Sequence, residues 1–278
     1  MKNVYIKYNA ATLLIIVFFM APSSFGNIIK DTSSNQEDKG VPQFLYAGED
    51  LTYEVSWSFI KIGTIRTKVI EIKKHNDDYR IKTAVYIDSY SGLPFVNLHA
   101  IFETEMDKNC FSNFFVSKTK DGSTWWVTRY LFDRINNKLF VEYGRTNNKN
   151  SVEFKIEKID TVDIQEKTQD GLSLLFFARA NIRKGSEMRV PTMFNSTKGL
   201  TILNFYRKRT NVEIDAVEYP VDVIEFDGQA LFKGIFGLTG PFKGWFSNDS
   251  AQIPIRAKMN VILGSIDIKL INEDSKVE

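Results

Sequence analysis

From Gly48 to Ile72 the chain reads GEDLTYEVSWSFIKIGTIRTKVIEI, with apolar or aromatic residues at every second position until a glycine resets the pattern. Successive side chains of a strand leave on opposite faces, so Leu51, Tyr53, Val55, Trp57 and Phe59 share one face and Thr52, Glu54, Ser56 and Ser58 the other. A segment divided in this way predicts an opening β-hairpin with one buried face. The same period returns at Tyr79, Ile81, Thr83, Val85 and Ile87. It continues in short runs over 97–106, 112–120, 124–132, 138–143 and 152–158, separated by turn signals such as Asp121-Gly122, Asn136-Asn137 and Asn147-Asn148. Further strands are predicted over 200–209, 212–219 and 221–226, around 253–261 and around 266–270. Strands at roughly 8–12-residue spacing imply a mainly β fold, an antiparallel meander forming a curved sheet or a partly open β-barrel.

One segment breaks the rhythm. Residues 170–183, DGLSLLFFARANIR, place Leu172, Leu175, Phe176 and Arg179 at helical spacing, with Asp170 as a cap and Gly185 as a stop. The helix is apolar on more than one side, so it should plug a barrel end or lie in the hollow of the sheet. Arg179 sits among apolar neighbours and needs an acidic partner. Both a structural ion pair and the capture of a ligand fit it.

The chain begins with Lys2 and Lys7, an apolar run from Ala10 to Ala21, and small residues at Ser24 and Gly26, the pattern of a secretory signal peptide over 1–26. The run is shorter than the roughly 20 residues a membrane-spanning helix uses, and no cysteine follows it, which closes the lipoprotein route. Residues 27–44 read as a flexible leader, 45–272 as a single β domain and 273–278 as a frayed tail. The expectation is an exported periplasmic protein with no integral membrane span after cleavage. Lys2 and Lys7 leave with the signal, reducing the basic residues from 36 to 34 and matching the 34 acidic ones. A neutral mature chain offers no overall field for nucleic acid.

Catalytic patterns are weak throughout. Cys110 is the only cysteine, and its neighbours Phe111, Phe114 and Phe115 suggest a buried thiol. Two histidines, His75 and His99, leave too few ligands for a zinc or haem site, so no cofactor or metal is expected. Asp170 reads as a helix cap, and Asp133 and Asp249 as turn residues. Glu103 and Glu105 lie on a strand near His99, but no spacing singles out a carboxylate pair. The basic run Arg207-Lys208-Arg209 reads as a solvated strand edge or, less simply, as an anion site. Glycines 228, 234, 237, 240 and 244 punctuate a run holding Phe232, Phe236, Phe242, Trp245 and Phe246, where they mark barrel corners or a close approach to the backbone. Trp57, Arg179, Phe236, Trp245 and Phe246 are the candidate ligand-binding residues.

Three blocks carry a family resemblance. They are Gly48-Glu49-x-Leu51-Thr52-Tyr53-x-Val55-Ser56-Trp57 with Ile62-Gly63-Thr64, then Asp170-x-Leu172-Ser173 opening a helix with an Arg, then Trp245-Phe246-Ser247-Asn248-Asp249 with Ile253-Pro254-Ile255 and Gly264-Ser265-Ile266. Together they resemble the domain of unknown function 3108 family. The resemblance implies an exported, mainly β domain of the Gram-negative envelope with no established activity. Asn248 stands where family members commonly carry an acid, which argues against a metal or acid/base pair at Asn248-Asp249. The function expected is noncatalytic binding of a hydrophobic or amphipathic ligand, such as a lipid, in a β-barrel cavity. The alternatives are an envelope scaffold that binds protein or glycan, and a hydrolase of envelope polymers with paired carboxylates. If the leader is cleaved as expected, intact mass measurement of protein recovered from the periplasm will give a chain that starts near Asn27; an intact Met1 would overturn the export reading.

Overall fold

The computed structural model describes residues 40–76, 78–94, 96–231, 240–260 and 264–273. The first half of the chain forms β1 (Asp50–Trp57), β2 (Ile60–His75), β3 (Asp78–Ser89), β4 (His99–Met106), β5 (Ser112–Asp121), β6 (Thr124–Asp133), β7 (Lys138–Thr146) and β8 (Lys155–Asp163). Helix α1 (Ser173–Asn181) follows, then β9 (Glu187–Phe194), β10 (Thr197–Val212), β11 (Val221–Ala230), β12 (Gly240–Ser247), β13 (Pro254–Asn260) and β14 (Ser265–Glu273). All fourteen strands belong to one sheet in the order β8 to β1, then β14 down to β9. Every ladder joins strands consecutive in sequence except β1 with β14, which brings the two ends of the domain together at the middle of the sheet. The expected antiparallel meander is therefore present, and it is an unclosed sheet whose edges are β8 and β9.

The edges fail to meet because α1 and its lead-in occupy the space between them in sequence. Gln169 forms a short bridge along β9 by donating its N–H to Pro191 O and accepting from Met193 N. At the far end of β9, Asn195 lies beside core-facing Tyr130, and Ser196 lies beside Tyr143 and Asp160. The β9–β10 turn thus tucks against the inner face of β6–β8 and does not extend the β8 edge. β9 carries Pro191, a residue that edge strands tolerate because it removes a ladder donor; the alternation there gave no strand signal.

The basic run Arg207-Lys208-Arg209 lies on an exposed strand edge, as expected: the β9 ladder ends at the Asn204–Glu187 pair, and Lys208 and Arg209 pair with β11 alone among the described residues. It holds a bulge, with Arg207 at φ 55°, and its cations are committed internally. Arg207 donates to Arg183 O and Lys184 O just past the helix, Lys208 pairs with Glu225 and Arg209 with Asp222. Two expected boundaries differ. The domain begins earlier than Leu45, because Phe44 is buried and Val41 packs on the core. Residues 213–220 form a connection between β10 and β11, not a strand.

The helix is the interior of the domain. Leu172, Phe176, Phe177, Ala178 and Ile182 join Val69, Ile81, Phe102 and Phe115 in the main core, and Phe177 meets Phe111 at 5.2 Å between ring centres. Within this apolar layer Arg179 is 1% exposed. Its Nη1 and Nη2 donate to the two carboxylate oxygens of Glu49 at 2.7 and 2.8 Å, and Nη2 also donates to Ala251 O at 2.7 Å. The guanidinium carbon lies 4.7 Å from the centre of the Phe44 ring. Nε donates to Ala251 O at 3.3 Å, so each of the three guanidinium nitrogens has an acceptor, which helps to offset the cost of desolvating both charges.

Asp170 is equally enclosed. Its Oδ1 accepts from the N–H groups of Leu172 and Ser173, its Oδ2 accepts from the Thr104 hydroxyl at 2.7 Å, and Ser173 Oγ accepts from the Asp170 N–H. The expected cap thus closes the turn that leads into α1. Burial pushes the Asp170 carboxyl above the ordinary carboxylate range, against the pull of these hydrogen bonds.

Two predictions follow from the plug. Arg179→Met leaves Glu49 buried and unpaired and should lower unfolding free energy by about 3–5 kcal/mol, whereas adding Glu49→Leu should restore most of it; urea denaturation of the three proteins checks this. For Asp170, a folded pKa above the unfolded one means that its contribution is complete below the ordinary carboxylate range and is lost as pH rises through the raised value. Asp170→Asn keeps the acceptor for both N–H groups and has no proton to lose, so the stability of the variant relative to wild type should increase with pH above that range.

Candidate functional site

Strand register determines which apolar side chains share a row on the core-bearing face. The buried row passes through Leu270 and its partner Tyr53, and Phe246 lies at the same depth on β12 with 1% exposure. One step toward the rim, Gly244 pairs with Ala257, Ala257 with Ile268, Ile268 with Val55, and Val55 with Gly63. A further step out, Phe242 pairs with Met259, Met259 with Ile266, Ile266 with Trp57, and Trp57 with Ile60. The members of this outer row are all half-buried. Gly244 is covered by the Phe226 ring, and a Cβ on Gly63 would lie 2.3 Å from Asp88 O, so the middle row is filled at both glycines and the half-buried outer row beside Ala257 forms a shallow apolar trough at one rim.

The glycines of β11 and β12 have a specific use here. A Cβ on Gly244 would lie 2.2 Å from the ring of Phe226, its cross-strand partner, and one on Gly228 would lie 2.4 Å from the ring of Phe242, likewise its partner. The groups that approach the backbone are therefore the chain's own rings lying flat across it. Phe226 stacks on Phe246 at 5.3 Å and meets Phe242 edge-on at 6.3 Å. These contacts give the trough an aromatic wall.

The four described candidate residues do not converge. Trp57 lies in the outer row. Phe246 is in the core beneath it. Trp245, the next residue along β12, points to the opposite face, donates its indole N–H to Glu225 at 3.1 Å and lies under Arg256, whose guanidinium carbon is 5.7 Å from the ring centre. Arg179 is engaged by Glu49 in the interior. Phe236 lies outside the described residues. Sequence reasoning placed Ile60, Met259 and Ile266 in strands with no binding role and left Phe242 in the glycine-punctuated aromatic run, because their meeting depends on the β1–β14 register.

Other reactive groups are held in structural roles. Burial pushes the Cys110 thiol up to about 12, the opposite of what a nucleophile requires. His99 Nδ1 lies 2.7 Å from Asp88 Oδ1, and Glu103 faces Lys82. Asp133 Oδ1 accepts from the Asn136 N–H, and Asp249 Oδ1 accepts from Ser247 Oγ and the N–H groups of Ala251 and Gln252, closing two turns. Among the described residues, no three His, Cys, Asp or Glu side chains gather as a metal site. Two clefts of about 460 and 440 Å³ are lined mainly by polar residues, one by Asn211, Glu213, Arg256 and Lys269, the other by Thr52, Thr64, Arg66, Lys68 and Asp88.

Fold and site together define a barrel-like β domain wound around a buried helix, with an apolar trough at one rim. The chain belongs to the family described as Protein of unknown function (DUF3108), which matches residues 52–271. A β-barrel-like protein of the DUF1849 domain from Brucella abortus is 13% identical, with 82% of this chain and 97% of that one aligned at a TM-score of 0.50, which is a likeness of fold. A candidate lipoprotein from Parabacteroides distasonis aligns over 84% of this chain and 97% of its own at 6% identity and a TM-score of 0.34. A candidate exported protein with a YmcC-like fold from Bacteroides fragilis aligns over 83% and 97% at 8% identity and a TM-score of 0.36. No curated protein matches the chain. Among the described residues, no helix is long and apolar enough to cross a membrane.

Proposed function

We propose that this protein is a periplasmic, noncatalytic binding module of the bacterial envelope that takes the apolar part of an amphipathic molecule, such as a lipid acyl chain, along the rim trough. The observation that carries this reading is the gradient of burial on the core face. The Tyr53–Leu270 pair and Phe246 are sealed, whereas the Phe242–Met259–Ile266–Trp57–Ile60 row keeps exposed apolar surface beside Ala257. Position 244 has no room for a side chain beneath Phe226, so Ala257 is the place in the middle row where a larger residue would narrow the exposed strip. The signal peptide expected over 1–26 supports a location where lipids and envelope polymers are handled.

About ten methylenes laid against the trough give roughly 8 kcal/mol of gross transfer free energy. Ordering the chain and the partner's lost freedom remove part of that, so dissociation constants between about 10 μM and 1 mM are expected. Native mass spectrometry of protein purified from the periplasm should show a lipid-sized mass travelling with it. Ala257→Leu narrows the trough and should weaken binding of a medium-chain fatty acid by about tenfold while leaving the thermal midpoint close to wild type. Binding should also shift the emission of Trp57, a change lost in Trp57→Phe. A protein that carries no such mass and binds neither fatty acid nor phospholipid overturns the reading.

A further inference from the structure

β8 is the most exposed strand of the sheet and, among the described residues, pairs with β7 alone. Such an edge presents a row of backbone donors and acceptors to any extended segment, and proteins normally blunt it with charge. The charges here are arranged in another way. Reading Lys155–Asp163 as KIEKIDTVD against a second copy of itself, antiparallel and centred on Ile159, sets Lys155 opposite Asp163, Ile156 opposite Val162, Glu157 opposite Thr161 and Lys158 opposite Asp160. Every cross-strand pair is then of opposite charge, both apolar or charge with hydroxyl, the combinations that stabilise neighbouring strands.

Other registers lack this match. Centring on residue 158 sets Lys158 against its own copy, centring on 160 sets Asp160 against its own copy and Glu157 against Asp163, and slipping by half a step toward the N-terminus sets Glu157 against Asp160. Like charges directly opposite one another oppose pairing. At the centre, Ile159 is 54% exposed on the outer face, an apolar side chain with nothing opposite it on that edge. The present Lys158–Asp160 contact at 2.7 Å and Lys138–Asp163 contact at 3.5 Å lie at the surface, where screened ion pairs exchange partners at little cost.

We propose that β8 is a self-recognition edge through which two copies of this chain join their sheets about a two-fold axis at Ile159. A closed, isologous interface of this kind satisfies both edges at once and leaves none to propagate.

Site-specific crosslinking tests the register. Directly opposed strand residues bring their Cα atoms within disulfide range, and Cys110 is buried with its thiol pushed up to about 12, so it does not compete. Under mild oxidation the exported Ile159→Cys variant should convert to a covalent dimer, while Thr161→Cys, whose opposite number is Glu157, should stay monomeric. Charge exchange gives a second, independent reading by light scattering. Lys155→Asp with Lys158→Asp, and separately Asp160→Lys with Asp163→Lys, should each lose the wild-type dimer, and mixing the two variants should restore it. Circular dichroism melts of each variant show that the fold survives. A wild-type chain that is monomeric at high micromolar concentration, equal crosslinking at 159 and 161, or no recovery on mixing overturns the proposal. Crosslinking of Ile159→Cys to a different periplasmic protein also overturns it, by making β8 an edge for a foreign strand.

Discussion

The ion pair between Arg179 and Glu49 ties together parts of the chain that the sheet alone does not join. It connects the helix, the segment that enters β1 and, through Ala251 O, the turn between β12 and β13. These three lie on different portions of the meander, and the Arg179 side chain fits all of them with one planar fork. Apolar packing would hold the helix inside without choosing its rotation. The bidentate geometry sets both the rotation and the depth of α1, since a shift by one residue would bury a carboxylate and a guanidinium apart. The arrangement of Phe176, Phe177 and Leu172 against the sheet follows from that placement.

With the plug fixed, the sheet can remain unclosed without exposing its core. In a closed barrel the last ladder protects the interior. Here the lead-in to α1 bridges to β9, the β9–β10 turn lies against the inner face of β6–β8, and among the described residues β8 remains as the uncovered edge. The same geometry explains why the rim trough exists. The helix fills the interior around Val69 and Ile81, and the outer row on β1, β2 and β12–β14 receives no such cover among the described residues.

Much of this architecture was legible in the residues. Alternation located most strands, and the switch to helical spacing at Asp170 located the one helix. The departures have local causes. Pro191 hides β9, because proline lacks the donor a ladder position normally uses. The bulge at Arg207 let one long strand read as a shorter one, and residues 212–219 alternate although only Val212 lies in a ladder. Of the binding residues, Trp57 was visible as the last member of an apolar face. Its neighbours in the trough were not, since Met259 and Ile266 reach it only through the pairing of β14 with β1, a contact between opposite ends of the chain. Glu49 was likewise unforeseeable as the partner of Arg179, because choosing among 34 acidic residues requires the tertiary arrangement.

The pairing of β1 with β14 has a consequence for biogenesis. The first strand of the sheet finds one of its two neighbours only when β14 has been added, more than two hundred residues later. Loop-closure entropy must be paid before that contact forms, so until then the β1–β8 half waits without its β14 neighbour beside Trp57. A premature stop ahead of Ser265 would therefore split the sheet down its middle and not merely fray a border. The nine residues of β14 thus act as the fastener for everything already folded.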